Sequence, residues 1–540
     1  MKALFLAIFI PFLCFSQESS VNISIKLWIE FSDKGNQNVN DFSNSDLFSE
    51  RASARREKQN ISIDFSDLPI HQDYLSQLSA LGIEILNKSK WFNGITANCT
   101  DTLLIAELLE LDFIKTIDTL GISLETSYVR TSSKFDHIVI DENSYGNAKN
   151  QIEMIGGLAL HDQGFQGQGI HIAVLDGGFR MTNKLDAFQH LFDNNQILGT
   201  WDFVDGESSV YEDNYHGMSV LSTMAGYLEN DFLGTAPKAS YWLFRTEDVG
   251  SETLIEEYNW AVAAEFADSV GADIINSSLG YTTFDIVSQD HSYADLDGQT
   301  TVITKAATLA ARKGIIVCNS AGNSGSSNWK YIVAPADADS ILSVGAVNAM
   351  QEATSFSSYG PTVDGRVKPT VSAQGGGTAI ITTSNTIASS NGTSFSSPII
   401  AGMTACLWQA HYGKSNMQII EAITQSAHIY QFPEDQLGFG IPNYALANAL
   451  LLDLEDVNMP LLEVYPNPAN ASATLYIYSA NESEVSYRIL DLTGKEVDKG
   501  QIQWNYSRFA INLPQMKSGV YIVEVIAGDR VLVERLSVVD

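Results

Sequence analysis

The chain has 540 residues, 45% of them hydrophobic, with 64 acidic against 31 basic side chains and a formal net charge of −33. That length exceeds one ordinary domain. The charge would repel phosphate, which argues against nucleic acid or anionic lipid as partners and suits the solubility coat of a secreted protein.

Residues 1–16, MKALFLAIFIPFLCFS, hold one lysine, a short apolar run and a small residue at a cleavage point. This pattern predicts a secretory signal peptide, and no later run is long and apolar enough to span a bilayer. Cleavage would leave Cys99, Cys318 and Cys406. A disulfide-stapled domain carries more cysteines at closer spacing, so buried free thiols are expected.

Residues 17–120 read as strand, helix, strand, strand, helix, strand. SIKLWIEF alternates, HQDYLSQLSALG has helical spacing, and IEILNKS and WFNGITANCT are extended before a last helix and strand, which predicts a small α+β domain. Residues 121–150 turn polar and aperiodic, as an exposed connector with a processing site would. From 151 to 452, apolar strand candidates (IHIAVLD, ADIINSSLG, GIIVCNSAGN, ILSVGAV) alternate with helical stretches. That alternation predicts a parallel sheet with helices on both faces. Residues 453–540 are short alternating strands without helices, hence a small β-sandwich.

In an α/β sheet, ligands bind at the carboxyl ends of the strands. HIAVLDGGF puts Asp176 at such an end, and NYHGMSVLS puts His216 at a helix start with Gly217 leaving room around the ring. NGTSFSSPIIAGM puts Ser394 at another helix start, with Pro398 expected in the first turn, where backbone donors have no partners. Acid, histidine and serine at these junctions are the parts of an activated nucleophile. A serine hydroxyl needs an imidazole to take its proton, and a carboxylate on the far ring nitrogen sets the tautomer. The resulting oxyanion needs a donor, and Asn323 in CNSAGNSG stands between small residues after a strand.

These segments, in the order Asp, His, Asn, Ser, resemble the subtilisin-like serine proteases, with GTSFSSP, SAGNSG and HGMSV carrying most of the likeness. The resemblance implies catalysis by Asp176, His216 and Ser394, an oxyanion hole at Asn323, and peptide backbone pairing along Ser278, Leu279 and Gly280. It implies a secreted endopeptidase that needs no cofactor and acts on polypeptides. The spacer between His216 and GTAPKA is short, so a calcium loop of some relatives is absent and no structural calcium is assignable. Gly177 after the acid and Leu221 in the histidine helix depart from the family pattern.

The N-terminal unit, with SKWFNGITAN, resembles the family's propeptides, which implies an intramolecular inhibitor and a zymogen. YPNPAN, LDLTGKEV and SGVYIVEV resemble C-terminal sorting domains of the type IX secretion route of Bacteroidetes, which implies the secretion machinery as a partner and a secreted or outer-surface location. Two further readings stand beside this one: a catalytically silent binding protein, and a protease limited to its own processing. Among acidic stretches, EDVGSETLIEEY reads as a solvated helix start. DFVDGESSVYEDN lacks the ligand spacing of a calcium loop.

Overall fold

The computed structural model describes residues 24–123, 145–452 and, with short gaps, 461–539. The signal peptide and residues 124–144 of the connector, where a processing site is expected, lie outside the described residues.

The first unit runs β1 (Ser24–Phe31), α1 (Asn44–Leu47), α2 (Glu50–Lys58), α3 (Gln72–Ala80), β2 (Glu84–Ser89), β3 (Gly94–Cys99), α4 (Leu104–Leu108) and β4 (Ile114–Ser123). Its four strands form an antiparallel sheet in the order β2-β3-β1-β4. The alternation of β1 sends Leu27 and Ile29 into a core with Leu75, Leu78 and Ile95. Trp28 points the other way and stacks on Tyr258 of the next unit at 4.3 Å. The arm of residues 33–70, with α1 and α2, has no counterpart in the sequence pattern. ERASARREK has no apolar stripe, so periodicity offers no signal there.

The central unit follows as α5 (Lys149–Glu153), α6 (Leu158–Asp162), β5 (His171–Asp176), α7 (Asp186–Asp193), β6 (Ile197–Asp202) and α8 (His216–Ala225). A hairpin of β7 (Tyr227–Leu228) and β8 (Phe232–Leu233) precedes β9 (Ser240–Arg245), α9 (Ile255–Val270), β10 (Ile274–Ser277), α10 (Val302–Arg312) and β11 (Ile316–Ser320). Then come β12 (Leu342–Val347), β13 (Val371–Gln374), the hairpin β14 (Thr378–Ile381) and β15 (Ile387–Ser390), α11 (Thr393–Ala410), α12 (Asn416–Gln425) and α13 (Tyr444–Leu451).

Seven of these strands form a parallel sheet in the order β13-β12-β11-β10-β5-β9-β6. Alternate residues of β5, β9, β10 and β11 feed opposite cores. Ile172, Val174 and Ile274 join one with α8 and α11, whereas Ala173, Leu175 and Ile275 join the other with α9 and α10. A strand buried on both faces must be apolar throughout, which is why these segments read as continuous runs. The chain leaves β5 toward β6 on one side and later fills β10 on the other, so the switch of direction opens a crevice beyond Asp176. Cys99, Cys318 and Cys406 are free and buried.

Of the two acidic stretches, the first differs from its sequence reading. Glu256 and Glu257, expected in solvent, are fully buried. The Glu256 carboxylate accepts the N–H groups of Thr253 and Asp248, each at 3.2 Å, and burial followed by neighbouring charge pushes it up to about 10. Glu257 meets His291 at 2.5 Å. Helix α9 thus uses its acids to satisfy donors inside the protein. In the second stretch, Asp202 and Asp205 lie 2.7 and 2.6 Å from Arg245, with Asp213 at 3.5 Å. A guanidinium therefore takes the centre of this carboxylate group.

The last unit consists of β16 (Leu461–Tyr465), β17 (Ser472–Tyr478), β18 (Val485–Asp491), β19 (Glu496–Ile502), β20 (Arg508–Asn512), β21 (Gly519–Ala527) and β22 (Arg530–Val538). They form two antiparallel sheets, β16-β17-β20 and β19-β18-β21-β22. Leu462 and Val464 from one meet Ile489, Val523 and Leu536 from the other. Among the described residues, no helix is long and apolar enough to cross a membrane.

Candidate active site

Strand β5 ends on Asp176, which is fully buried at the crevice. Its Oδ1 accepts the Gly177 N–H at 2.8 Å and faces Nδ1 of His216 at 2.8 Å. An ionised carboxylate only accepts, so Nδ1 carries the proton and Nε2 is left as the acceptor. His216 opens α8, where Asn214 Oδ1 accepts its backbone N–H at 2.7 Å. Its side chain is 35% exposed, so the ring can be reached from the cleft. Burial opposes the charged imidazole, but the Asp176 charge and hydrogen bond, with Glu247 nearby, raise its pKa above the ordinary 6.5.

Gly217 serves a different contact from the one its sequence position suggests. A β-carbon there would lie 2.8 Å from Asp176 Cβ and 2.5 Å from Gly178 O. The glycine lets the first turn of α8 close on the carboxylate itself. Gly177, the departure after the acid, leaves space that Val249 fills, since a β-carbon would come within 2.9 Å of its Cγ1.

Ser394 is the second residue of α11 and is buried. The orphan N–H groups of this helix start favour negative charge beside it. Gly392, just before the helix, has φ 152°, a conformation that L side chains rarely adopt. Ser394 Oγ donates to the Ser278 carbonyl at 3.4 Å, not to the imidazole. The neighbouring Phe395 ring stands 6.0 Å from the His216 ring, so the start of α11 faces the start of α8.

Pro398 lies in the second turn of α11, not the first. It brings no N–H to the carbonyl four residues back, that of Ser394. Ser278 Oγ supplies the donor instead, at 2.9 Å. Ser278 thus binds Ser394 twice, through its own hydroxyl and its own carbonyl. Leu279 O accepts from Asn319 at 3.2 Å, and Gly280 passes so close to Val333 that a β-carbon would come within 2.2 Å of it.

Asn323 lies in the loop after β11 and is exposed. Its Oδ1 accepts the backbone N–H of Thr393 at 2.9 Å and the Thr393 hydroxyl at 3.1 Å. With the oxygen so held, the amide NH₂ is the end left to donate. Thr393 Oγ1 also accepts the Gly322 N–H at 3.1 Å, tying the asparagine loop to the serine helix. Sequence reasoning missed the hold of Thr393 on Asn323, Ser278 as a helix donor, and the buried place of Glu247, whose stretch reads as solvated. Thr393 stood inside GTSFSSP, but its partner lies 70 residues away. The place of Glu247 could not be read, because only folding brings it beside Asp176, where burial and then that charge push it up to about 8. Among the described residues, no group of three or more His, Cys, Asp or Glu side chains is placed to hold a metal ion.

Residues 167–446 match the Subtilase family of S8 peptidases, residues 26–135 the peptidase S8 propeptide domain of Bacteroidota, and residues 463–539 the secretion system C-terminal sorting domain. The sorting-domain match indicates secretion to the cell surface or outside. Subtilisin NAT of Bacillus subtilis subsp. natto is 32% identical over 281 residues, 51% of this chain and 65% of its own. A subtilisin of Bacillus pumilus is 32% identical over 281 residues, covering 51% of this chain and 90% of its own. A thermophilic serine proteinase of Bacillus sp. (strain AK1) is 34% identical over 263 residues, 48% of this chain and 56% of its own. The chain thus spans less than two thirds of the length of subtilisin NAT.

Proposed function

Since the chain belongs to the subtilase family, we propose that it is a secreted serine endopeptidase made as a zymogen. Ser394 Oγ attacks the peptide carbonyl as His216 Nε2 takes its proton, and the imidazolium returns that proton to the leaving amine. Asp176 holds the tautomer and stabilises the imidazolium. The oxyanion is met by the Asn323 amide and the backbone N–H of Ser394. Water then resolves the acyl-enzyme by the same proton path. No cofactor is required by this chemistry.

The observation that carries this reading is the Asp176–His216 contact of 2.8 Å at the mouth of the sheet, with Phe395, the neighbour of Ser394, 6.0 Å from the same ring. We assign residues 17–120 to an inhibitory propeptide, 121–150 to the connector that is cut, 151–452 to the peptidase, and 453–540 to the segment read by the secretion machinery. Support for inhibition comes from the packing of Trp28 and Leu120 on Tyr258 and Ile255, which brings β4 and the start of the connector beside the first turn of α9.

A fluorophosphonate probe tests the reading. The processed chain should be labelled, and Ser394→Ala should abolish labelling and casein hydrolysis together. A folded, processed chain that takes no label would point instead to a silent binding protein. Labelling without hydrolysis of casein would point to a protease confined to its own connector.

A further inference from the structure

The arm of residues 33–70 is not needed to complete the four-stranded sheet, yet it makes the densest polar contact between the first unit and the peptidase. Helix α2 lies against the C-terminal end of α9, where unpaired carbonyls carry partial negative charge. Arg51 donates to Gly271 O at 3.0 Å and Gly169 O at 2.7 Å, and pairs with Asp273. Arg55 donates to Ala272 O and pairs with Asp268. Arg56 bridges Asp268 at 2.5 Å and the arm's own Asp67 at 2.8 Å. Arg56, Asp67 and Asp268 are fully buried.

Two more contacts extend this surface. Lys313 of the peptidase reaches Asp64 at 2.7 Å and Asp67 at 3.0 Å. Gln59 donates to Gly314 O at 2.9 Å and accepts the Asn416 N–H at 3.0 Å. The arm is in turn locked to its own unit by Lys34, a buried ammonium that donates to Phe65 O at 2.9 Å, Lys90 O at 2.7 Å and Leu68 O. The Lys90 turn then inserts its N–H groups, with the Ser89 hydroxyl, onto the buried Glu265 carboxylate of α9.

We propose that the end of α9, with Asp268, Asp273 and the carbonyls of Gly271 and Ala272, is a second recognition surface of the peptidase, remote from the cleft, that fits paired guanidinium groups. Its partner is the arm of this chain's own propeptide. Guanidinium suits the site because its planar fork of donors meets carboxylate and carbonyl oxygens in a fixed geometry. Severing the connector leaves every one of these contacts in place, so the arm sets how long the cut propeptide stays. The proposal rests on the assignment of 17–120 as an inhibitory propeptide.

The test uses the full chain, following connector cleavage on gels, co-elution of propeptide with peptidase by size exclusion, and fluorophosphonate labelling of Ser394. Arg55→Ala/Arg56→Ala should shorten co-elution and the delay from cleavage to labelling at least tenfold, with the cleavage rate unchanged. If that pair yields no folded chain, Arg51→Ala/Gln59→Ala, at the rim of the contact, decides with a smaller shift in the same direction. Folded variants that release the propeptide as slowly as the unmutated chain would overturn the latch while leaving inhibition intact. Labelling of the unmutated chain while its propeptide still co-elutes would overturn inhibition instead, and co-elution alone would then judge the latch.

Discussion

Ser278 donates its hydroxyl hydrogen bond to the carbonyl of Ser394, at 2.9 Å, in the place where Pro398 offers no N–H. The backbone of Ser394 is thus held from the strand side of the crevice. Ser278→Ala should leave that carbonyl short of a donor, costing about 1–3 kcal/mol, and should lower kcat more than it raises KM. Pro398→Ala restores a helix N–H. The double variant should recover much of the loss, measured as a double-mutant cycle on kcat/KM.

Gly217 packs on Asp176 with no room for a β-carbon. Gly217→Ala must push the start of α8, and with it His216, away from the carboxylate. A displacement near 1 Å in such a contact costs about 10²-fold in rate. Peptide hydrolysis should fall by that order, while secretion and folding, followed by yield and thermal melting, change far less.

Asn323 has its oxygen occupied by Thr393, which aims the NH₂ end outward. Asn323→Ala should lower kcat by about 10²–10³-fold, the loss known for an oxyanion donor in the subtilisins, with KM little changed. Thr393→Val keeps the backbone N–H but loses the hydroxyl, so a smaller loss in kcat is expected. Equal losses in the two variants would show that Asn323 acts only through the loop.

His216 has a pKa raised above 6.5, with burial opposed by the Asp176 charge and hydrogen bond. A protonated imidazole cannot take the serine proton, so activity should be full at alkaline pH and fall as pH drops through that raised value. Titration of the ring by NMR in Ser394→Ala should show its midpoint above 6.5. Asp176→Asn in the same background should move it downward.

Arg245 is buried and pairs with the fully buried Asp202. Arg245→Met leaves that carboxylate without its cation, and breaking a buried pair in this way costs about 3–5 kcal/mol. Urea denaturation of Ser394→Ala with and without the second change, chosen to avoid autolysis, measures the difference.

The legible parts share a physical cause. Strands such as HIAVLD and IVCNS are buried on both faces, so each shows a continuous apolar stretch, Ile172–Leu175 and Ile316–Cys318. Asp176, His216 and Ser394 stand where such runs meet glycines, helix starts and turns, positions that sequence marks directly. Glu256 and Glu257 misled because an acid near a helix start looks the same whether its partners are water or buried N–H groups. Pro398 misled by a single turn, since the donor that excuses it comes from Ser278, more than a hundred residues away.

By itself the sequence determined the alternation of elements, the order of the polar residues at their ends and the family they indicate, because each is written in local spacing. The fold alone decided that Asp202, Asp205 and Asp213 would surround Arg245, that Arg55 and Arg56 would cross to Asp268, and that Thr393 would hold Asn323. Charged and hydrogen-bonded partners are chosen by distance in space, and a linear pattern carries no record of that distance until the apolar cores have set it.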